Sequence, residues 1–351
     1  MDARAQTAGQ LRDQAEWCGL MGSPLYAQLL TEAAADVEAG GPAWRVLDAH
    51  TGPGRGAALA LRFLAAVHRL VLTGQAPELA RHYPSAGGRP GPEVWPAFRA
   101  LLAEREDAVR TFTAHPCQTN EVGRAAALMF GFLEAVHRAR LPLRLFEVGA
   151  SAGLNLRWDG FRFGVASGSA GWGDTQSPVD LSGHWDEPPL HLDGPVHVAE
   201  RRGCDLHPLD PADEEARLRL RSSVWADQAE RFQRLQGALQ LAARVPAVVE
   251  AARLGEWLPP LLAEVHRGTM ALVYHSVVEE YLPPEERTGF HEAMEEAGAR
   301  ATPDAPLAWV RLEPFPGERR HELTLQIWPG EPRRRLATCG SHGTGTRRFV
   351  S

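Results

Sequence analysis

The sequence predicts an α/β sandwich with a largely parallel sheet, preceded by an all-helical N-terminal domain. Three observations carry this. Residues 1 to about 140 are rich in Ala and Leu, with apolar residues at helical spacing. At Leu141 the texture shifts to short strand-like runs separated by helical segments. The chain then closes on late strand-like runs at 307–312 and 323–328. The boundaries are set at 1–140 and 141–351, a composition shift with no linker.

In the first part, Ser23 is placed to cap a helix whose first position is Pro24. A second helix is read over 56–69, and turns at 51–54 and 85–92 separate such segments. Val-His-Arg recurs at 67–69, 136–138 and 265–267, where cations at three helix ends would answer the helix dipole. Next comes a strand over 143–148, a glycine turn and a helix behind it. The aromatic stretch 158–186 reads as an inserted hairpin or loop. Asp210 and Pro211 then open a helix, and Trp225, Ala229, Phe232, Leu235 and Leu239 share one helical face. Strands at 247–249 and 269–275, a helix at 284–299 and the two late strands complete the pattern.

The composition narrows the function. Apolar residues make up 44% of 351, enough for a substantial core, and no run is long enough to span a membrane. All 37 basic residues are Arg, while Asn occurs only at 120 and 155 and Ile only at 327, a pattern of GC-rich bacterial coding. A net charge of −7 disfavours a nucleic-acid partner, and the substrate expected is a small molecule. The scattered Cys residues form no disulfide framework, and the polar start with acids among its bases is not a secretory signal, so a cytoplasmic location is expected.

The glycine turn Glu147-Val-Gly-Ala-Ser-Ala-Gly153 is the most informative segment. A dinucleotide fingerprint would need glycines where Ser151 and Leu154 stand, which argues against NAD. Gly149-Ala-Ser151-Ala-Gly153 also fits a nucleophile elbow, with His321 or His342 as the base of a serine hydrolase. No earlier strands or oxyanion element support that reading. A third reading is the S-adenosylmethionine loop of methyltransferases: Gly149 and Gly153 admit the methionine part, helix N–H groups meet its carboxylate and Glu147 holds its ammonium. A tight turn with no ligand remains the plain alternative.

The runs Gln118-Thr-Asn-Glu-Val-Gly-Arg124, Leu145-Phe-Glu-Val-Gly-Ala-Ser-Ala-Gly-Leu-Asn-Leu156, Gly203-Cys-Asp-Leu-His-Pro-Leu-Asp210 and 274–287, with Ser23-Pro-Leu-Tyr26, resemble a bacterial domain-of-unknown-function family, number 2332. Its second half is similar to a class I S-adenosylmethionine-dependent methyltransferase, which implies a Rossmann-like sandwich and S-adenosylmethionine as cofactor. The resemblance places Glu147, Gly149, Ser151, Gly153 and Asn155 at the cofactor, with Asp205 on its ribose. It places His275 and Ser276 beside the substrate, followed by Tyr281. At the adenine position Arg253 departs from the pattern, so Glu250 or Glu256 would have to substitute.

Within 118–124, Asn120 is a candidate cap for the apolar helix that follows; Gln118 and Asn120 are candidate substrate residues and Glu121 and Arg124 candidate catalytic residues of the pocket. His275 is either a general base or a core histidine. Glu279 and Glu280 are adjacent, so at most one reaches a pocket. Cys204 with His207 and Cys339 with His342 have zinc-ligand chemistry, but each pair is weak, and no metal is expected. The glycine-rich run 340–346 reads as a turn between strands. The expectation is therefore a methyltransferase acting on a small molecule, with a catalytically silent binding or scaffold protein and a Ser151 hydrolase as alternatives.

Overall fold

The computed structural model describes residues 2–51, 58–315 and 317–349. The chain forms two compact units, Met1–Thr119 with Glu214–Gln233, and Asn120–Asp213 with Arg234–Ser351. The helix Ala125–Ala139 thus belongs to the second unit, and residues 214–233 return to the first.

The described elements of the first unit are helical. Leu11, Leu29, Phe63, Val67, Phe98 and Leu102 meet in one core with Trp225 and Ala226 from the returning segment. Ser23 caps Pro24–Glu38 as its sequence position predicts, with Oγ accepting from Tyr26 N at 3.4 Å. It also donates to Asp227 Oδ1 at 2.6 Å, while Asp227 Oδ2 accepts from Leu25 N at 3.0 Å. The turn expected at 51–54 lies, after Thr51, outside the described residues, as do the first two residues of the 56–69 segment; the helix there is Leu59–Leu72. Two of the three Val-His-Arg triplets put a cation into the last turn of a helix, Arg69 in Leu59–Leu72 and Arg138 in Ala125–Ala139. His68 is fully buried in mid-helix, its ring bonded to Ser222 O at 3.1 Å and Ser85 Oγ at 2.7 Å. Residues 265–267 follow the end of Leu254–Ala263.

The second unit is built on an eight-stranded sheet. Its strands are β1 (Leu143–Val148), β5 (Val198–Asp205), β6 (Val248–Ala251), β7 (Met270–Ser276), β8 (Leu307–Pro314), β9 (His321–Trp328), β10 (Glu331–Cys339) and β11 (Arg347–Arg348). Between β1 and β5 lie β2 (Arg162–Val165), β3 (Gly171–Trp172) and β4 (Asp180–Trp185). The large sheet runs β11-β10-β9-β8-β7-β1-β5-β6, parallel from β6 to β8 and antiparallel beyond. This is the doubly wound order in which the chain leaves β1 to one side and returns at β7 on the other. The fold is accordingly α/β and Rossmann-like. The all-buried pattern of β1 follows, since a central parallel strand is covered on both faces. Phe146 and Val148 pack beneath Leu254–Ala263 and Pro284–Arg300.

The 158–186 segment forms a small sheet of order β3-β2-β4, in which β2 and β3 make an antiparallel hairpin, as expected, and β4 adds parallel to β2. Phe163 stacks on Trp185 at 5.7 Å between centroids, so aromatic burial holds it together. The segment behind the glycine turn also differs from expectation. Instead of an α-helix it is a 3-10 stretch, Leu154–Gly160, kinked at Arg157. The Gly153 carbonyl, which an α-helix would pair with the Arg157 N–H, accepts instead from Leu156 N at 3.1 Å and from the Arg157 guanidinium at 2.7 Å. Asp210 likewise closes a turn, through Ala212 N at 2.8 Å, and the helix starts only at Glu214.

Candidate functional site

In doubly wound sheets, ligands gather outside the carboxyl ends of the strands where the chain changes direction. Here that point lies between β1 and β7 and carries the glycine turn. Gly149 and Gly153 have φ of 67° and 64°, and a Cβ at either would come within 2.6 Å of Val278 or 2.7 Å of Val249. Glycine is needed on both counts. Ser151 is also left-handed, at φ 54°, and its buried Oγ has no hydrogen-bond partner, histidine included, among the described residues. Asp205 fixes the turn to the end of β5: Oδ2 accepts from Ser151 N and Oδ1 from His207 N, both at 2.9 Å. Its carboxylate is thus engaged with backbone.

The only two asparagines of the chain do related work. Asn120 Oδ1 accepts from Leu154 N at 2.9 Å, and Asn155 Nδ2 donates to the Glu121 carbonyl at 3.2 Å. Asn120 therefore braces the glycine turn and does not cap the helix; Glu121 takes that place by accepting from Gly123 N at 3.1 Å. The two strands of chain are laced side by side, which brings Glu121 to the switch point.

Glu147 ends β1 facing inward, paired in register with Tyr274 of β7. Tyr274 and Trp158 both pack on Phe132, at 5.0 and 4.8 Å between centroids. Burial pushes the Glu147 carboxyl up to about 8, against the opposing pull of Tyr274 and Arg157. Its Oε2, the Tyr274 hydroxyl, Asn155 Oδ1 and Trp158 Nε1 are buried without partners among the described residues. Such a group of orphaned polar atoms is uncommon and calls for a ligand or ordered water.

His275, the next residue on β7, points to the other side of the sheet, among Phe290 and Trp309. It is fully buried, with Nδ1 2.7 Å from Glu313 Oε1. That same oxygen accepts from Val278 N at 3.0 Å and holds the turn in which Val277 takes φ 58°, a costly conformation for a β-branched residue. Glu279 is on this side too, 3.2 Å from His291 Nε2 and 3.4 Å from Arg311. Although burial raises its carboxyl, the hydrogen bond from His291, with His275 and the Arg311 charge, brings it down to about 2.

Arg124 spans the carboxyl edge, donating to Ser341 O at 3.1 Å and Ser276 O at 3.2 Å. Glu121 Oε2 lies 3.1 Å from His342 Nδ1, a pairing that sequence spacing did not reveal. The only hint was a histidine inside the 340–346 glycine-rich turn. His321, close by, is lowered to about 4 by burial and by the Arg124 charge. Tyr281 is 75% exposed, Gln118 lies in the first unit, and Ser276 contributes its carbonyl. Arg253 is exposed beside Glu286, while Glu250 accepts from Arg202 at 2.6 Å and Trp257 Nε1 at 2.9 Å. Cys204 ends β5 and Cys339 ends β10, with four strands between them, and no group among the described residues could hold a metal ion.

Among the described residues no helix is long and apolar enough to cross a membrane. No curated protein and no solved structure matches the chain. One family does, over residues 8–347, nearly the whole length. Its description is "uncharacterized protein conserved in bacteria", and the chain belongs to this family, domain of unknown function 2332.

Proposed function

We propose that the second unit binds S-adenosylmethionine at the β1–β7 switch point and that the protein methylates a small molecule. The observation carrying this is Glu147: a buried carboxyl oxygen without a donor, at the end of the first strand, below a glycine turn. An ammonium would supply the missing donor and ionise the acid in one step. Tyr274 presents its hydroxyl to the same carboxyl, and the turn from Gly149 to Gly153 brings bare backbone to the same place. The bound cofactor would supply a methyl carbon activated by a sulfonium. The residues at hand fit its amino-acid end. They do not fit the adenosine end in the usual way, because the Asp205 oxygens accept backbone N–H groups and Glu250 is held by Arg202 and Trp257.

That mismatch favours a second reading, a Rossmann-like protein that binds a small ammonium-bearing ligand without transferring a methyl. Calorimetric titration with S-adenosylmethionine and S-adenosylhomocysteine separates the two. Micromolar binding of both, at least tenfold weaker in Glu147→Gln, is the expected result. Absence of binding at millimolar concentration, or equal affinity in the variant, overturns the cofactor assignment. Labelling of Ser151 by a fluorophosphonate, lost in Ser151→Ala, would instead support a hydrolase.

A further inference from the structure

We propose that Glu121 and His342 form a proton-accepting pair at the carboxyl edge of the sheet, serving a small hydroxyl-bearing substrate. The proposal deepens the methyl-transfer reading and rests on it for the identity of the reaction. Its geometry is independent of that reading.

Three connections bring the pair to the switch point. Asn155, just past the glycine turn, donates to the Glu121 carbonyl at 3.2 Å. Arg124, three residues on, donates to Ser276 O at the end of β7 and to Ser341 O next to His342. Gly123 lies against the His342 carbonyl, where a Cβ would not fit. Helix start, strand end and C-terminal turn are thus fastened within one small region, with the imidazole among them.

The arrangement has the parts of an oriented base. Glu121 is 8% exposed; its Oε1 accepts from Gly123 N, and its Oε2 sits 3.1 Å from His342 Nδ1, short of good alignment for a hydrogen bond. Loose alignment is common in a site without its ligand and tightens on binding. A carboxylate on this side favours the ring form with the proton on Nδ1 and leaves Nε2 bare. Nε2 is buried and has no partner among the described residues. The other titratable groups packed nearby are Arg124, His321, His184 and Cys339. His321, lowered to about 4, is neutral at pH 7 and adds no competing cation.

In the reaction, Nε2 would take the substrate O–H proton; a sulfonium cofactor held near Glu147 would supply the methyl carbon to which that oxygen bonds, its carbon–sulfur electron pair staying on sulfur. The imidazolium, stabilised by Glu121, returns the proton to water. Glu121 is a positioning residue, since it acts through His342.

The test needs no substrate. Nitrogen-15 NMR of the imidazoles reads which ring nitrogen carries the proton, with His342 identified by the signal lost in His342→Asn. In the full-length protein without cofactor at pH 8, the Nδ1–H form is expected, and Glu121→Gln should return the ring to the Nε2–H form that free histidine prefers. A wild-type ring already in the Nε2–H form, or one unaffected by Glu121→Gln, overturns the pair. Because the protein carries no cofactor in this measurement, a failure of S-adenosylmethionine binding would leave its outcome unaltered.

Discussion

Glu147 and Glu313 stand at the carboxyl edge on either side of β7, and the protein treats them in opposite ways. Glu313 is saturated: one oxygen meets His275 Nδ1 at 2.7 Å and Val278 N at 3.0 Å, and the strained turn at Val277 depends on it. Glu147, deeper and beside Tyr274, has an oxygen with no partner and is held neutral by burial up to about 8. A saturated carboxylate builds structure. An unsaturated one costs stability and is retained for something that structure alone does not require.

The largest effect should come from Glu313→Ala. It leaves a fully buried imidazole and the Val278 and Glu279 N–H groups without their acceptor, so a loss of about 3 kcal/mol is expected in urea unfolding. A loss below about 1 kcal/mol would erase the contrast with Glu147.

Glu147→Gln should change the pH dependence of stability. In the folded chain the carboxyl ionises at about 8, against 4.5 when unfolded, so the folded state keeps a proton that the unfolded state releases. Stability from this group is full below pH 4.5 and falls by up to about 1.4 kcal/mol per pH unit until pH 8. The Gln variant should lack that decline and be the more stable protein at pH 8. Parallel curves for the two proteins would show that Glu147 is ionised in place.

Smaller effects follow at the lacing residues. Asn155→Ala removes the donor to the Glu121 carbonyl and should cost about 1 kcal/mol in the same unfolding measurement. His342→Asn, at a partly exposed turn, should stay within about 0.5 kcal/mol of wild type. Near-equal stability there would sharpen the distinction between a residue kept for chemistry and His275, which is kept for the turn.

Much of the sheet was legible because runs such as Leu143-Arg-Leu-Phe-Glu-Val and Met270-Ala-Leu-Val-Tyr-His are apolar, short and bounded by turns. The helix Pro284–Arg300 was legible for the same reason. The site was legible only in part. A strand end marks where chemistry can occur but not which face a side chain takes, and one step along β7 sends Tyr274 and His275 to opposite sides. Asn120 looked like a cap because its position before a helix is local information, whereas its true partner is 34 residues away. The helix expected behind Gly153 gives way to 3-10 geometry, in which Leu156 N and the Arg157 guanidinium share the Gly153 carbonyl. Long-range pairings such as Glu121 with His342 leave no periodic trace.

The segment Glu214–Gln233 has a consequence for the order in which the chain is made. The first unit receives Trp225 and Ala226 into its core, and Asp227 closes the start of Pro24–Glu38, only after the intervening 94 residues of Asn120–Asp213 have been synthesised. On the ribosome the leading helices must therefore wait, incompletely packed, while part of another unit emerges. A fragment ending at Thr119 would keep the helices but lack the residues that finish them, and it should associate with the separately supplied 214–233 peptide.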